Sequence, residues 1–528
     1  MILVIFFILF LDYTEPDKEN GSACQRSSAK HRSAEGADIM LSVQLIIIVS
    51  YFLITVLIGL LSSKKMISSL AFHGTQMGIF AIVCASSGEW LGGTATTGVS
   101  EYGFLYGFSG AWYTIGNGIG VMFLAICFAK LYRSIGTMTV PGIIEHFFGI
   151  RARVVSATLL TLVMLAVGLA QMIAAGKLGQ SLLGYEFTTT VSVFALVFIV
   201  YTLAGGMRAV SSTNTMHLFV MYGGVMAAIF ISLKQMGGWD AFIDGIISIE
   251  STEGGTYFNM FSIGTKKISS WLIAGLLGAC TAQAGIQPLL ASKDVSSAKK
   301  ACVITAFVTA PFGLLTALLG MIAKVMSFNG ELLDTAGHMV YDAKLALPTL
   351  MMNLPSVAGG LILASILAAI LSTLSPIILA CGTMITNDVY KRVLRPEAAD
   401  AKVLFVSRVI TAVSGILCAA GAILLVDSSR VLDIVYSAYS LRGALFIVLL
   451  FGIYWKHSSE TGACLSMLLT AAVAVFWVIW ELRTGAYPVA GISETYAAII
   501  TAASCMILFS LCFPNRIGRI RSSDRRCH

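Results

Sequence analysis

The chain has 528 residues, of which 57% are hydrophobic and only 12% are charged, and its formal net charge is +7. An ordinary soluble domain carries roughly 25% charged residues, so this composition excludes a water-soluble globule. A mean hydropathy of +0.86 agrees with that exclusion. We therefore predict an all-α polytopic membrane protein that contacts the lipid bilayer over most of its length.

The first 39 residues differ from the rest of the chain. The opening segment MILVIFFILF is too short to cross a bilayer and lacks the basic residues that begin a signal peptide, and a polar stretch follows it. We expect 1–39 to be a polar N-terminal extension that results from a mis-assigned start, with Met40 as the natural initiator. A short anchor or signal is the alternative interpretation.

Apolar segments follow one another from Met40 to Phe513 and predict one membrane domain over 40–515, followed by a basic tail at 516–528. Each span needs about 20 mainly apolar residues. Spans of this length are helices, because lipid offers the backbone no hydrogen-bond partners. About thirteen spans are predicted, at 40–62, 77–99, 107–131, 152–180, 187–204, 211–234, 269–291, 299–327, 356–390, 402–426, 431–455, 459–481 and 494–513.

Lysine and arginine lie mainly in alternate loops, which orients the chain in the membrane. The basic loops follow the odd-numbered spans, and the opposite loops hold few basic residues, mainly Lys266, Lys267, Arg430 and Arg483. Basic loops stay in the cytoplasm. We therefore expect a cell-membrane protein whose first span begins outside and whose C-terminus is cytoplasmic. The charge of +7 is interpreted as topology, and no nucleic-acid partner is expected.

The sequence offers little to a catalytic mechanism. Its 11 cysteines include no C-x-x-C pair, and most lie inside predicted spans. No nucleotide-binding loop, H-E-x-x-H motif or G-x-S-x-G motif with partners is found. We therefore do not expect an enzyme.

Two predicted spans, five apart, contain residues that interrupt helices. CASSGEWLGGTATTG in span two places Glu89 among glycines and serines, and LGACTAQAGIQPLL in span seven contains Gly278, Gly285 and Pro288. Small residues also allow close helix packing, but two discontinuous helices at matched positions are typical of transporters with inverted repeats. We therefore predict a five-plus-five inverted repeat of spans two to six and seven to eleven.

Hydroxyl residues interrupt the aliphatic segment of span nine, LILASILAAILSTLSPIILACGT. Ala369, Ser372 and Thr373 are spaced to lie on one helical face, and Pro376 has no N–H for the carbonyl of Ser372. Neutral oxygens of this kind suit Na⁺, which needs about five or six of them in a site that can also release the ion. The alternative is that the hydroxyls only bond to carbonyls of their own helix.

Three segments resemble the sodium/solute symporter family, whose members carry sugars, proline, pantothenate, acetate or iodide. YTLAGGMRAVSSTNTMHLFVMYGG is similar to the family's G-G-x-x-A-V-x-x-T-D-x-x-Q segment, and ILAAILSTLS with TNDVYKR is similar to its A-x-x-S-T helix ending in D-x-Y-K. IQPLLASKDVSSAKKA resembles the family's loop after the seventh span. The resemblance covers 40–515 and implies a LeuT-type fold, with one extra span before the repeats and two after them.

Carried over position by position, this resemblance implies a principal sodium site, with Na⁺ as the coupling ion. The site would use backbone oxygens of Val83 and Ser86, the carbonyl of Ala369, and the hydroxyls of Ser372 and Thr373.

The chain departs from the family at three positions near this site. Asn214 replaces an acid that many members carry, and His217 stands where glutamine is usual. Loss of the carboxylate argues against an auxiliary sodium position at Asn214. Pro376 is likewise not a feature of the family's helix.

By the same analogy the solute lies at the membrane midplane between spans two and seven, where span eleven can close over it. The residues expected to contact or enclose it are Ser87, Glu89, Trp90, Gln283 or Gln287, Tyr436, Tyr439 and Arg442. A charged residue inside a span is functional by default, because burying it is costly. Glu89 fits either a solute contact or a cap on loose backbone N–H groups. Arg442 either neutralises Glu89 or receives a solute carboxylate.

These observations favour a secondary active transporter that imports a small organic solute with Na⁺ by alternating access. A proton-coupled symporter of the same fold is the alternative, with Glu89 and His217 as titrating groups. A transporter-like membrane sensor is a third interpretation, although the short segment after Phe513 holds no signalling domain.

Overall fold

The computed structural model describes residues 43–514 apart from 45, 60, 62–75, 184, 334–337 and 427–430. The side chains of a few further residues, Tyr436 among them, are not described either. The predictions for the N-terminal extension, for the tail at 516–528 and for Tyr436 as a solute contact therefore lie outside the described residues.

The described chain is almost entirely helical, as the hydropathy predicts. Its helices are α1 Ile46–Gly59, α2 Ile79–Trp90, α3 Val99–Tyr106, α4 Trp112–Phe123, α5 Ala129–Ile135, α6 Val140–Phe148, α7 Ile150–Leu183, α8 Phe187–Gln235, α9 Trp239–Glu253, α10 Thr265–Ala279, α11 Gln283–Leu290, α12 Val295–Thr309, α13 Phe312–Phe328, α14 Ala343–Met352, α15 Ser356–Met384, α16 Asp400–Leu425, α17 Val431–Tyr454, α18 Glu460–Thr484 and α19 Glu494–Cys512. Wider π-type turns cover Thr94–Gly98, Leu124–Phe128 and Ile385–Leu394, and a 3₁₀ turn covers Gly107–Ala111.

Nine helical segments within the described ranges are long and apolar enough to cross a membrane. The prediction of a polytopic helical membrane protein is therefore confirmed, and each predicted span contains a helix. The count of thirteen crossings and the inverted repeat remain predictions.

Four short helices in the described segments between the predicted spans were not predicted. They are α3, α6, α9 and α14, and each is shorter than a membrane crossing requires. A search for apolar segments of about 20 residues cannot find them. α6 has a local start instead, because the hydroxyl of Thr139 accepts a hydrogen bond from the N–H of Gly142 at 3.1 Å.

Predicted spans five and six are the two halves of α8. The halves meet at Gly206, whose φ of 52° and ψ of −159° are not helical. This positive φ favours glycine, which has no Cβ to clash with the backbone. The sequence GG before Met207 therefore allows the chain to turn between the two halves.

The core of the molecule is α15. Its apolar window is 94% buried, against 28% for the second half of α8. It packs against α2, α7, α8, α11, α14 and α16. The predicted hydroxyl helix is therefore enclosed by protein, and its polar groups must find partners on neighbouring helices.

Both predicted discontinuities are present, and each spans three residues. α2 ends at Trp90 and the chain resumes its helical course at Thr94. α10 ends at Ala279 and α11 begins at Gln283. α2 and α11 pack together and both contact α15, so the segments next to the two breaks meet near the centre of the molecule.

Candidate functional site

The break after α2 places backbone oxygens next to α15. Helix ends leave carbonyls without an intrahelical donor, and hydroxyls of α15 contact the carbonyl of Gly88. Thr373 Oγ1 donates to this oxygen, and Ser372 Oγ lies 3.3 Å from it. The carbonyl of Glu89 is 3.5 Å from Thr373 Oγ1. All these groups are buried.

The two hydroxyls are held differently. Ser372 Oγ also donates to the carbonyl of Ala369 within its own helix at 2.9 Å, which is the local bond that the alternative interpretation predicts. Thr373 instead bridges to α2. Ala369, Ser372 and Thr373 thus form one oxygen-rich surface that faces the broken helix.

Glycine allows this close approach. A Cβ on Gly88 would lie 2.9 Å from the carbonyl oxygen of Ser372 and would also overlap the side chain of Asn214. A Cβ on Gly92 would overlap Thr373. The GG and SG pairs of span two are therefore needed for contact between α2 and α15.

Val83 and Ser86 lie earlier on α2 than the carbonyl that the hydroxyls contact. Ser86 Oγ donates to the carbonyl of Gly285 at 3.0 Å and so connects α2 to α11. Val83 packs beside Ile82 and Ala301. The structure brings Ser372 and Thr373 to α2 at Gly88, one residue beyond Ser87, and the Ala369 carbonyl joins them through its bond to the Ser372 hydroxyl.

Asn214 connects three helices at the same place. Its Nδ2 donates to the carbonyl of Ser372 at 3.1 Å and lies 3.5 Å from the carbonyl of Ala85. α15 continues as a helix through Pro376, so the proline does not end it. The Ser372 carbonyl that Pro376 cannot satisfy is instead satisfied by the Asn214 amide.

Glu89 and Arg442 lie near each other beside the breaks, and both are buried, with 2% and 0% of their surfaces exposed. Glu89 is followed directly by Trp90, whose ring lies against the guanidinium group of Arg442. Neither carboxylate oxygen of Glu89 and neither terminal nitrogen of Arg442 has a hydrogen-bond partner among the described residues. The hydroxyl of Ser87 is likewise buried without such a partner. The prediction that Glu89 caps loose N–H groups therefore has no support in this arrangement.

Aromatic rings surround the arginine. The guanidinium carbon of Arg442 lies 4.3 Å from the ring centre of Tyr439 and 5.6 Å from that of Trp90. The hydroxyl of Tyr439 lies 3.2 Å from that of Tyr113. Arg442 Nε donates to the carbonyl of Gly278, at the end of α10, at 3.3 Å.

Three residues of this centre, Thr94, Tyr113 and Gln171, are not predicted from the sequence. The hydroxyl of Tyr113 lies 2.9 Å from Thr94 Oγ1, and Gln171 Oε1 accepts a hydrogen bond from the N–H of Gly93 at 2.7 Å. Gln171 thus caps the backbone at the end of the break after α2. Isolated polar residues in apolar helices were the available indication, and many such residues serve packing alone.

Gln283 and Gln287 are bonded to protein groups. Gln283 Oε1 accepts from the N–H of Val140 at 2.7 Å, and its Nε2 donates to the carbonyl of Met138 at 3.2 Å. Gln287 Nε2 lies 3.4 Å from Thr383 Oγ1. In this conformation both side chains connect α11 by hydrogen bonds to the start of α6 and to α15.

An ionic cluster lies near these glutamines, beside Thr139. Arg153 forms ion pairs with Glu145 and with Asp388, the latter at 2.5 Å, and Arg392 pairs with Glu145 at 2.8 Å. Thr139 Oγ1 also donates to Asp388 at 2.8 Å. Burial acts to raise the pKa of Glu145, but hydrogen bonds from Arg392 and Arg153 outweigh it and lower that pKa below its usual value.

Broken helices that meet beside a buried polar centre are typical of membrane transporters. The model of the Sodium:solute symporter family matches residues 71–470. The chain belongs to this family, whose members are transporters and not enzymes, and its coupling ion is sodium. The family resemblance found in the sequence is thereby confirmed.

Curated relatives agree with this assignment. The chain is 25% identical to a sodium/glucose cotransporter of Vibrio parahaemolyticus, over 72% of this chain and 73% of the relative. It is 24% identical to the osmoregulated proline transporter OpuE of Bacillus subtilis, over 85% of this chain and 92% of the relative. A sodium/proline symporter of Staphylococcus aureus is also 24% identical, over 82% and 86%.

Solved structures share the fold. A Na⁺-coupled sialic acid symporter in a substrate-bound outward-open state superposes with a TM-score of 0.72 at 16% identity, covering 89% of this chain and 98% of that one. The nucleobase-cation-symport-1 family transporter Mhp1, in a closed conformation, superposes with a TM-score of 0.51 at 12% identity, over 84% and 95%.

Proposed function

We propose that this protein imports a small organic solute by symport with sodium, through alternating access. The observation that carries this proposal is the contact of the Ser372 and Thr373 hydroxyls with the Gly88 carbonyl. An ion bound there would join the broken helix α2 to the buried helix α15. Because these helices belong to different halves of the proposed repeat, the ion would stabilise one arrangement of the halves over the other.

The proposed sodium site consists of the oxygens predicted from the sequence and the Gly88 carbonyl. Ala369, Ser372 and Thr373 supply the α15 side, and Val83 and Ser86 with Gly88 supply the α2 side. These are neutral oxygens, so they can bind a monovalent cation without holding it too tightly for release. The Asn214 amide, a hydrogen-bond donor, occupies the side next to α8, so we propose one sodium ion per solute.

The proposed architecture has thirteen spans, with spans two to six and seven to eleven as inverted repeats. The matched three-residue breaks after α2 and α10 support it. The proposed orientation in the cell membrane has the C-terminus in the cytoplasm, which places the Glu145–Arg153–Asp388 cluster on the cytoplasmic side. Residues 40–515 form the proposed transporter domain.

Uptake into proteoliposomes tests this function. Labelled amino acids, sugars and carboxylates are offered with an inward sodium gradient, an inward proton gradient or none. Sodium-driven accumulation of at least one solute is expected. Accumulation that requires the proton gradient and does not depend on sodium would contradict the proposal. It would favour the proton-coupled alternative, with Glu89 and His217 as the titrating groups.

A further inference from the structure

Two opposite charges are buried beside the helix breaks without hydrogen-bond partners for their outer atoms, in the part of the chain that the structure describes. We propose that the solute is a small zwitterion whose carboxylate binds Arg442 and whose ammonium group binds Glu89. This inference rests on the proposed function for the statement that the ligand is transported. The binding itself can be tested separately.

Arg442 is positioned to receive a carboxylate. Its Nε is already bonded to the carbonyl of Gly278, and the rings of Tyr439 and Trp90 lie against its guanidinium group. Both terminal nitrogens, Nη1 and Nη2, remain without partners. The two nitrogens form a planar fork that matches the two oxygens of a carboxylate.

The backbone of Arg442 is also fixed. Thr281, inside the break after α10, donates its hydroxyl hydrogen to the carbonyl of Arg442 at 2.7 Å. Both the main chain and the side chain of Arg442 are therefore bonded to residues around the break after α10. A side chain held in this way loses little conformational freedom when a ligand binds.

Glu89 supplies the complementary group. An ionised carboxylate only accepts hydrogen bonds, and an ammonium group offers three N–H donors. Glu89 follows Gly88 directly, so its side chain leaves the same turn of α2 that contacts α15. Both of its oxygens are buried and without donors among the described residues.

The charge balance favours a zwitterion over other solutes. A buried charge without a partner of opposite sign is strongly destabilising. An anion that binds Arg442 would leave Glu89 facing a like charge, and a cation that binds Glu89 would do the same to Arg442. Sugar hydroxyls can bond to both groups, but a carboxylate matches both terminal nitrogens of Arg442 at once, which adds energy and geometric specificity. Trp90, Tyr113 and Tyr439 are each at most 2% exposed, so a solute that binds among them must be small.

Binding to the purified full chain in sodium tests the inference. The probes are alanine with its half-analogues ethylamine and propionate, proline with pyrrolidine and cyclopentanecarboxylate, and glucose. At least one amino acid should bind about 10- to 100-fold more tightly than either of its half-analogues. Glucose should not compete with it.

Variants that remove one of the two charges test the inference by the preference between the amine and acid analogues, even where the affinity for the amino acid falls. Arg442→Gln should weaken the amino acid and bind its amine analogue better than its acid analogue, and Glu89→Gln should show the opposite preference. Arg442→Lys keeps the charge without the fork and should fall between Arg442→Gln and the parent. Arg483→Gln and Glu331→Gln, at exposed positions, should leave all affinities unchanged.

Tight binding of glucose alone, or half-analogues that bind as well as the amino acids, would overturn the inference while leaving symport intact. The same holds if the variants show no change in preference. If the binding pattern appears as expected but a sodium gradient drives no uptake of the amino acid, the proposed symport fails and the zwitterion site stands.

Discussion

At the scale of single residues, Asn214 and Pro376 compensate for each other. Pro376 has no N–H for the Ser372 carbonyl, four residues earlier in α15, and the amide of Asn214 donates to that carbonyl at 3.1 Å. A carboxylate at 214 could not donate this bond. The two departures from the family pattern are therefore two parts of one arrangement.

This pairing predicts non-additive stability. Asn214→Ala should lower the free energy of unfolding by about 1–3 kcal/mol, because a buried carbonyl loses its donor. In a Pro376→Ala background the restored backbone N–H satisfies that carbonyl, so the same change should cost less. Thermal unfolding of the purified protein without sodium measures both, with exposed Asn329→Ala as control. Equal costs in both backgrounds would show that the residues act independently.

The hydroxyls of α15 should determine sodium affinity. Ser372→Ala or Thr373→Ala removes one oxygen from the proposed site, which should weaken sodium binding by about 1–3 kcal/mol, by analogy with hydrogen bonds to charged groups. The sodium concentration for half-maximal uptake measures this change. Ser375→Ala is the matched control, because Ser375 Oγ lies 3.1 Å from Thr202 Oγ1 on α8, on another side of the helix. A normal sodium dependence in both site variants would refute the site.

At the scale of elements, contact between α2 and α15 depends on Gly88. In Gly88→Ala the new Cβ would lie 2.9 Å from the Ser372 carbonyl oxygen, so the helices must separate. Sodium-dependent uptake should be largely lost at normal membrane levels. Gly223→Ala on α8 is the control, since a Cβ there meets no atom within 4 Å. Unchanged uptake in Gly88→Ala would mean that close contact is not required.

Much of the order of the helices could be predicted, because the length of an apolar segment identifies a span and small residues identify its interruption. The atoms that contact each other between helices could not be predicted. Ser86 and Gly88 are two residues apart in a broken helix, and which carbonyl faces α15 depends on how far α2 is rotated. Gln283 or Gln287 is predicted to contact the solute, and the structure adds bonds from their amides to Val140 and Thr383 that the sequence does not indicate. Contacts of this kind depend on tertiary packing, which local sequence does not determine.

At the scale of the whole molecule, the ionic cluster should control opening of one side. Glu145→Gln removes the charge that pairs with Arg153 and Arg392, so that side should open more often. A cysteine at Thr383, tested in a Cys-free background with an impermeant maleimide, should then be labelled faster. Glu253→Gln, at an ion pair with Lys324 elsewhere, is the control. Unchanged labelling would exclude a closing role.

The direction of pH dependence follows from the lowered pKa of Glu145. A carboxylate with a lowered pKa stabilises the folded arrangement above its unfolded pKa and loses this effect as the pH falls through the folded value. The ion pairs of Glu145 should therefore be intact at neutral pH and be lost in acid, below the ordinary glutamate value of 4.5. Labelling at Thr383 that rises at neutral pH would contradict this assignment.

Membrane orientation can be tested from the loops. Single cysteines at Lys266 and Lys299 should be labelled by an impermeant reagent from outside and from inside, respectively, because basic loops remain in the cytoplasm. Intact cells and inverted vesicles distinguish the two sides. The reverse pattern would overturn the proposed topology.

The two neighbours Gly88 and Glu89 present different kinds of chemistry to their surroundings, a main-chain oxygen toward α15 and a side chain toward Arg442. Every amino acid carries the same main-chain oxygen, so substitution rarely alters that chemistry, whereas side chains on α2 and α17 change with each mutation. Under the proposed roles, a lineage can exchange the side chains that bind the solute while the main-chain oxygen that binds sodium persists, as long as glycine at 88 keeps α2 close to α15. A change of solute from sugars to amino acids then needs no new energy source.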